Sequence, residues 1–501
     1  MLDITRDTDV LIVGAGPVGL FLANECARRG LRWRIIEARP TQSDTSRALA
    51  IFPRTLEIFD MAGIIAPFLK AANRVTSVSI DTHGRNLACL RFAPEESPYP
   101  FIAMVPQNVT EALLLEQLRL KGGDVEYQTV FASAHLERDS VVVRADLRGK
   151  PVTIRSSFVV GCDGAHSAVR HWLKMPFEGE EYTDVFLLAD VETNESLPAN
   201  QLQLCPSEFG PLAIFPMSAT RRRIVATADN PVGDAPSLDL VQRALRLRAP
   251  AGLEARSLHW SSYFKVHRRH IARLREGRFF IAGDAAHIHS PFGGQGMNTG
   301  LHDVWNLVWK LDLFLSGHGN QALLDSYSLE RLPVIKSVIE TTDRMTRVLG
   351  ARGGLAQSLR DAVIPMVSRV APFQHAFVQR LSELGVTYSG SPIVEGPGQR
   401  YLDDSMRGGS GVCSRFLLLI GEDNAAPIQQ AAREVCEALS GIAELRTSQG
   451  KGVTVVRPDG YVAYSERNGG LPAVHNAQLV LARQTTDGVK LHREAVAPNV
   501  H

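Results

Sequence analysis

Gly14-Ala-Gly16-Pro17-Val18-Gly19 stands between a β-rich run, Asp9 to Gly14, and a helical pattern from Pro17 to Arg29. Glycines at this spacing permit a tight turn and let a backbone approach a pyrophosphate, while the helix N-terminus supplies roughly half a positive charge. A second strand pattern, Leu31 to Ile36, ends on Glu37, which is followed by Ala38 and Arg39. A carboxylate at that place suits a ribose hydroxyl pair. The chemistry indicated is dinucleotide binding, and this fingerprint alone leaves NAD and FAD both open.

Two later segments bear on that choice. Gly277-Arg-Phe-Phe-Ile-Ala-Gly283-Asp284 reads as a strand ending in a carboxylate with little steric cover, suited to a polyol such as a ribityl chain. Pro291-Phe-Gly-Gly294-Gln-Gly296-Met297-Asn298 then opens a helix whose free N–H groups can face the anion of a reduced flavin. Gly161-Cys-Asp163-Gly164-Ala-His-Ser167 is a third strand end followed by a helix start.

With these three segments in order, the chain resembles the FAD-dependent aromatic hydroxylases, single-component flavoprotein monooxygenases of the para-hydroxybenzoate hydroxylase and phenol hydroxylase type, over residues 1 to about 390. The resemblance implies that Gly14, Gly16, Gly19 and Glu37, with Pro17, Val18, Ala38 and Arg39 beside them, hold the ADP half of FAD. Arg47 is similar to the family arginine near flavin and pyrophosphate, and Gln107 to the glutamine that meets FAD. Asp163 and Gly164 would lie by the flavin and the nicotinamide donor. Gly283 and Asp284 would serve the ribityl or pyrophosphate portion, and Gly294, Gly296, Met297 and Asn298 would line the isoalloxazine. Pro291, Gly294 and Arg47 are the expected catalytic positions, with the Pro291 carbonyl facing the reactive edge of the ring.

The resemblance further implies the reaction: NAD(P)H reduces FAD, O2 forms a C4a-hydroperoxyflavin, and one oxygen atom enters a phenolic or related aromatic substrate. The cofactor carries the difficult step and the protein keeps water away from it. Only one dinucleotide fingerprint is found in the chain, so NAD(P)H is expected as a transient co-substrate. The alternatives are epoxidation or Baeyer-Villiger oxygenation of a larger polyketide-like substrate, an FAD-dependent oxidase or dehydrogenase without oxygen insertion, and a catalytically silent flavoprotein.

Composition bounds these readings. The 501 residues, 45% of them hydrophobic, are enough for several domains with sizeable cores. Lys plus Arg number 54 against 53 Asp plus Glu, which gives no basic excess for nucleic acid or an anionic membrane. The six cysteines include no C-x-x-C pair, so a reduced, cytoplasmic protein without a disulfide framework is expected. Val10 to Asn24 is uncharged but interrupted by glycines and shorter than a membrane span. The expected partners are a small aromatic substrate, O2 and NAD(P)H, with no nucleic acid or membrane and with a homodimer left open.

The fold class expected is α/β. A Rossmann-like FAD-binding domain takes residues 1–182 plus 268–390, and a sheet-rich α+β substrate domain takes 183–267 with part of 75–105. The glycine- and proline-rich stretch Gly390 to Gly398 reads as a linker to residues 398–501. That tail resembles a thioredoxin-like domain without C-x-x-C, for which dimerisation or scaffolding is the ordinary role. Other candidates have plainer readings. His287 and His289 form H-x-H without further ligands, so no metal is expected. Arg221 to Arg223 and His267 to His270 are basic runs of the kind usually solvated or ion-paired. Phe209, Phe215, Trp260, Tyr263 and Phe264 are core aromatics or substrate walls, and His83 and Tyr182 could activate a phenol.

Overall fold

The computed structural model describes residues 7–43, 46–82, 84–92, 96–194, 197–228, 231, 233–290, 293–350, 362–366, 370–409, 415–439 and 441–486. Pro291, His83 and Cys413 lie outside the described residues, as does the side chain of Tyr182.

Along the chain, the elements that build the cleft begin with β1 (Asp7–Val13), α1 (Pro17–Arg28), β2 (Trp33–Glu37), α2 (Pro53–Met61) and α3 (Gln107–Leu120). There follow β3 (Lys150–Gly161), β4 (Glu178–Thr193), β5 (Gln201–Cys205), β6 (Leu212–Pro216), β7 (Arg221–Ala228), β8 (Ala255–His270) and β9 (Phe279–Ile281). Three helices complete the set: α4 (Gly296–Leu315), α5 (Gln321–Leu349) and α6 (Ala371–Leu381).

Val10, Leu11 and Ile12 are apolar in succession and wholly buried, as a strand covered on both faces requires. In the first sheet β9, β3, β1 and β2 lie side by side in parallel, with Val13 opposite both Gly161 and Ile36. Strand β3 pairs antiparallel with Val141–Leu147 and, toward Gly161, parallel with β1. Helix α4 is buried on nearly every side, because it is enclosed by α1, α5 and the C-terminal part of the chain.

The second sheet orders β8, β4, β7, β6 and β5, then Ser77–Thr82 and Arg85–Arg91. Side-chain alternation splits it into two faces. Phe186, Leu188, Leu204 and Phe215 point toward α5 and α6, whereas Leu187, Ala189, Ile214 and Ala226 pack on the helix Leu238–Arg248.

The tail forms a four-stranded mixed sheet with helices Ala426–Ala438 and Leu471–Gln484. The stretch from Gly390 to Gly398 is no free linker. Ile393 is buried, Tyr388 N–H donates to the Gly398 carbonyl at 3.1 Å, and Glu395 N–H donates to the Ala463 carbonyl at 2.7 Å. Glycine and proline here shape a compact connection anchored at both ends. No described helix is long and apolar enough to cross a membrane.

Candidate active site

The three glycine-bearing motifs meet at the C-terminal ends of adjacent parallel strands. Gly14 has φ +101°, and a Cβ there would stand 2.5 Å from the Cys162 carbonyl oxygen. A Cβ on Gly19 would stand 1.9 Å from the Gly14 carbonyl oxygen. These two glycines therefore serve the packing of α1 over β1 and β3. Gly16 differs: it precedes the first turn of α1 without a side-chain cap, and apart from its chain neighbours no protein atom lies within 4 Å of where its Cβ would be. Unpaired first-turn N–H groups thus adjoin space that only a glycine leaves open, as a pyrophosphate requires.

Glu37 ends β2 beside this turn. Its Oε2 accepts from Ala15 N–H at 2.8 Å, and its Oε1 accepts from Arg39 N–H at 2.9 Å and Arg39 Nε at 3.1 Å. Burial raises the carboxyl pKa, but these donors and the Arg39 charge outweigh it and hold Glu37 below the ordinary range. Val18 faces the third motif, since a Cβ on Gly283 would meet its Cγ2 at 3.0 Å.

Asp163 and Gly164 follow β3. Asp163 Oδ2 accepts from Val169 N–H at 3.2 Å, while Oδ1 is buried without a hydrogen-bond partner, and burial raises the carboxyl pKa. Asp284 opens to solvent on one side, but protein surrounds it elsewhere; this desolvation raises its pKa, with His287 and Arg47 pulling the other way. His287 is buried with Nε2 at 2.7 Å from Asp303 Oδ2, and Asp303 also accepts from Gly283 N–H and Arg331 Nε. His287 is thereby drawn into a buried brace behind the Gly283 turn, while His289 Nδ1 lies 3.0 Å from the Ser290 carbonyl.

At the start of α4, Gly294 has φ +63° and Met297 is buried. Asn298 is fully engaged with the protein: Oδ1 accepts from Phe52 N–H at 3.0 Å and Thr55 Oγ1 at 2.8 Å, and Nδ2 donates to the Ala50 and Gly294 carbonyls. It fixes the Gly294–Gly296 loop to the segment that leads into α2.

Arg47 is exposed on a strap clamped from two sides. Gln107 N–H donates to Ser46 Oγ at 3.0 Å, and Gln107 Oε1 accepts from Ala48 N–H at 3.1 Å. From β7, Arg223 is 2% exposed and reaches the other side, donating to the Arg47 carbonyl at 2.8 Å, the Ala48 carbonyl at 3.2 Å and Ser46 Oγ at 3.1 Å. Its remaining N–H groups bind Asp190 on β4 at 2.7 and 2.9 Å, so all five guanidinium donors are used. In sequence this arginine is one member of a basic run; its bridging role emerges only when β7 and β4 pair.

An apolar cavity lies between the inner face of the second sheet and the Gly293 turn, with Phe52, Leu204, Phe215, Met345 and Phe377 among its walls. Of the aromatics singled out in sequence, Phe215 lines it, and Trp260 and Phe264 pack on the same hydrophobic cluster. Tyr263 packs on the opposite face, and Phe209 is 40% exposed.

Residues 7–342 match the family described as "FAD binding domain". The chain is 35% identical over 412 residues to 6-methylpretetramide 4-monooxygenase of Streptomyces rimosus, covering 78% of this chain and 71% of that protein. It is 30% identical over 486 residues to 12-dehydrotetracycline 5-monooxygenase/anhydrotetracycline 6-monooxygenase of Streptomyces rimosus subsp. rimosus, covering 91% and 95%. Among solved structures it is similar to an anhydrotetracycline hydroxylase from Streptomyces rimosus, with a TM-score of 0.76, 26% identity and 96% and 99% coverage. With the motifs, sheet order and cleft in agreement, the chain belongs to the FAD binding domain family, as an FAD-dependent aromatic monooxygenase.

Proposed function

We propose that this protein hydroxylates a phenolic ring of a polycyclic, polyketide-type aromatic, using O2 and electrons from NAD(P)H. The likeness to monooxygenases of polycyclic substrates carries this reading, and the narrow apolar gap against the Gly293 turn, bounded by Phe52, Phe215 and Phe377, is where a ring would enter once the walls part. Relatives named for tetracycline-type substrates support the class.

The redox chemistry and the activation of O2 belong to FAD when it is bound. The chain's own contribution is placement and charge. The first turn of α1 and Gly16 would receive the pyrophosphate, and Glu37 the ribose. Asp284 would take the ribityl hydroxyls, and the N–H groups opening α4 would face negative charge at the flavin edge, an effect of about 0.3–2 kcal/mol. Arg47, Asp163, Gly164, Gly294 and Gly296 complete the set, with Pro291 beside them in sequence. The apolar walls would exclude water from the reacting edge. We keep the division into residues 1–182 plus 268–390, 183–267 and 398–501 as part of this proposal.

Asp284→Ala is expected to weaken FAD by about 1.5–3 kcal/mol, the range for a hydrogen bond to a charged group. A fluorescence titration of apo-protein with FAD measures it, and unchanged affinity would remove Asp284 from the site. The function itself is tested by NAD(P)H oxidation under 18O2 in place of air, with polycyclic phenols beside simple ones. Faster oxidation with a polycyclic phenol, giving a product that carries one labelled oxygen on a ring carbon, is expected. Label in a ring-expanded ester or an epoxide would indicate the other oxygenations, and an unlabelled oxidised product an oxidase.

A further inference from the structure

Glu383 stands where a helix usually ends on glycine. It follows Ser382, the C-cap of α6, with φ +59°, a left-handed conformation that a side chain makes costly. It is also 4% exposed, so a carboxyl has been placed in a strained and desolvated position without a full ion-pair partner. Its Oε1 lies 3.3 Å from Thr299 Oγ1, and its Oε2, 3.5 Å from His302 Nε2, has no hydrogen bond.

Counting hydrogens shows what this cluster holds. Phe52 N–H can only donate, which fixes Asn298 Oδ1 as an acceptor, and Thr55 gives it its single hydroxyl hydrogen. Toward His302 Nε2, at 2.9 Å, Thr55 can then only accept, so the ring carries its hydrogen on Nε2. Thr299 has one hydroxyl hydrogen between the Gln295 carbonyl at 3.0 Å and Glu383 Oε1 at 3.3 Å; given to the nearer oxygen, it leaves the Thr299 oxygen to accept from a protonated Glu383. The arrangement is satisfied when Glu383 bears a proton. The surrounding titratable groups are Asp303 and the imidazole of His302 on α4, Arg331 on α5 and, near His302, Arg54 on α2. Burial dominates among these influences and pushes the Glu383 pKa up to about 8, while burial and the two arginines keep His302 neutral.

We propose that Glu383 is a positioning residue that holds a proton beneath the Gly294–Gly296 loop, and that losing this proton lowers the reduction potential of the bound flavin. The route is short. An ionised Glu383 draws the Thr299 hydroxyl away from the Gln295 carbonyl, and Gln295 is the residue before α4, itself tied to α6 through its Nε2 on the Arg380 carbonyl at 2.9 Å. The new negative charge lies within the first turns of α4, where it opposes the helix terminus in stabilising an anion on the reduced cofactor.

The inference rests on flavin use and not on the substrate. The test is the reduction potential of the holoenzyme, and its anaerobic reduction rate, from neutral to alkaline pH. In the unmodified protein the potential is expected to bend downward near pH 8, with reduction slowing about two- to five-fold. Glu383→Gln keeps the donor and loses the bend, and Glu383→Gly relieves the backbone and loses it as well. Apo-protein provides a readout without cofactor. A carboxyl with a raised folded pKa keeps its proton when folded and releases it when unfolded, so stability falls as pH rises from the ordinary carboxyl range to about 8. Glu383→Gln should remove that fall. A bend that persists in Glu383→Gln, or a stability change with pH and no bend in the potential, would overturn the proposal. Neither measurement requires a substrate or oxygen, so failure of the hydroxylation reading would be seen separately.

Discussion

Gly19→Ala is expected to yield a destabilised protein without flavin, whereas Gly16→Ala should fold normally and fail only to hold FAD. At Gly19 the new methyl would stand 1.9 Å from a backbone oxygen of Gly14, an atom that cannot rotate away, so α1 must lift from β1. The helix carries the anion-facing N–H groups with it, and both the melting temperature and FAD content should fall. At Gly16 the methyl meets no protein atom within 4 Å beyond its chain neighbours. Apo-protein melting should therefore be unchanged, while forcing a methyl into space needed by a pyrophosphate costs about 1–3 kcal/mol, or roughly 5- to 150-fold in affinity. Thermal unfolding of apo-protein and FAD titration of both variants separate the two roles. Normal FAD binding by Gly16→Ala would show that the pyrophosphate lies elsewhere.

Glu330→Ala is expected to cost about 3–5 kcal/mol of stability, the range for a buried ion pair deprived of one partner. Glu330 is wholly enclosed and accepts five hydrogen bonds: two from Arg457, and one each from Lys310, Asn306 and Ser391. Removing it leaves Lys310 without its carboxylate and Arg457 with Asp459 alone. The effect should reach the flavin side, because the Asp459 carbonyl beside Arg457 accepts from Arg54 Nη2 on α2 and Trp305 Nε1 on α4. Urea unfolding measures the loss. The exposed pair Arg483 and Glu395 supplies the comparison, where Glu395→Ala should change stability by about 1 kcal/mol or less. Equal costs at the two sites would mean that Glu330 does not secure the tail.

What could be read from sequence was what backbone geometry imposes locally. Glycines at Gly14, Gly16 and Gly19, and a carboxylate ending β2, follow from constraints acting within a few residues, and so does the turn at Gly283. The sheet-rich character of the stretch after residue 183 was legible as well, but not its two faces, because Val185 to Ala189 is an unbroken apolar run. Features that depend on partners distant in sequence were not legible. Arg223 meets Asp190 and the Arg47 strap only after two sheets have assembled, so it resembled any other basic residue. Glu383 carries no local mark, because its left-handed conformation and the burial of its carboxyl against α4 arise only in the folded chain. Gly390 to Gly398 has the composition of a linker, yet Ser391 and Ile393 are held inside the molecule. Composition reports backbone freedom in the unfolded chain and says little about how the folded chain uses it.

The saturated guanidinium of Arg223 bears on how such enzymes could be recombined. Every N–H it has is taken, two by Asp190 of the substrate-facing sheet and three by the strap that carries Arg47. A chimaera that imports the second sheet from a relative would bring a new cavity wall through Phe215 and its neighbours. It would inherit a working seam only if Asp190, Arg223 and Ser46 arrived as a set. The natural crossover points for exchanging substrate preference therefore enclose this trio, and a boundary drawn between the sheet and the strap would divide a single joint.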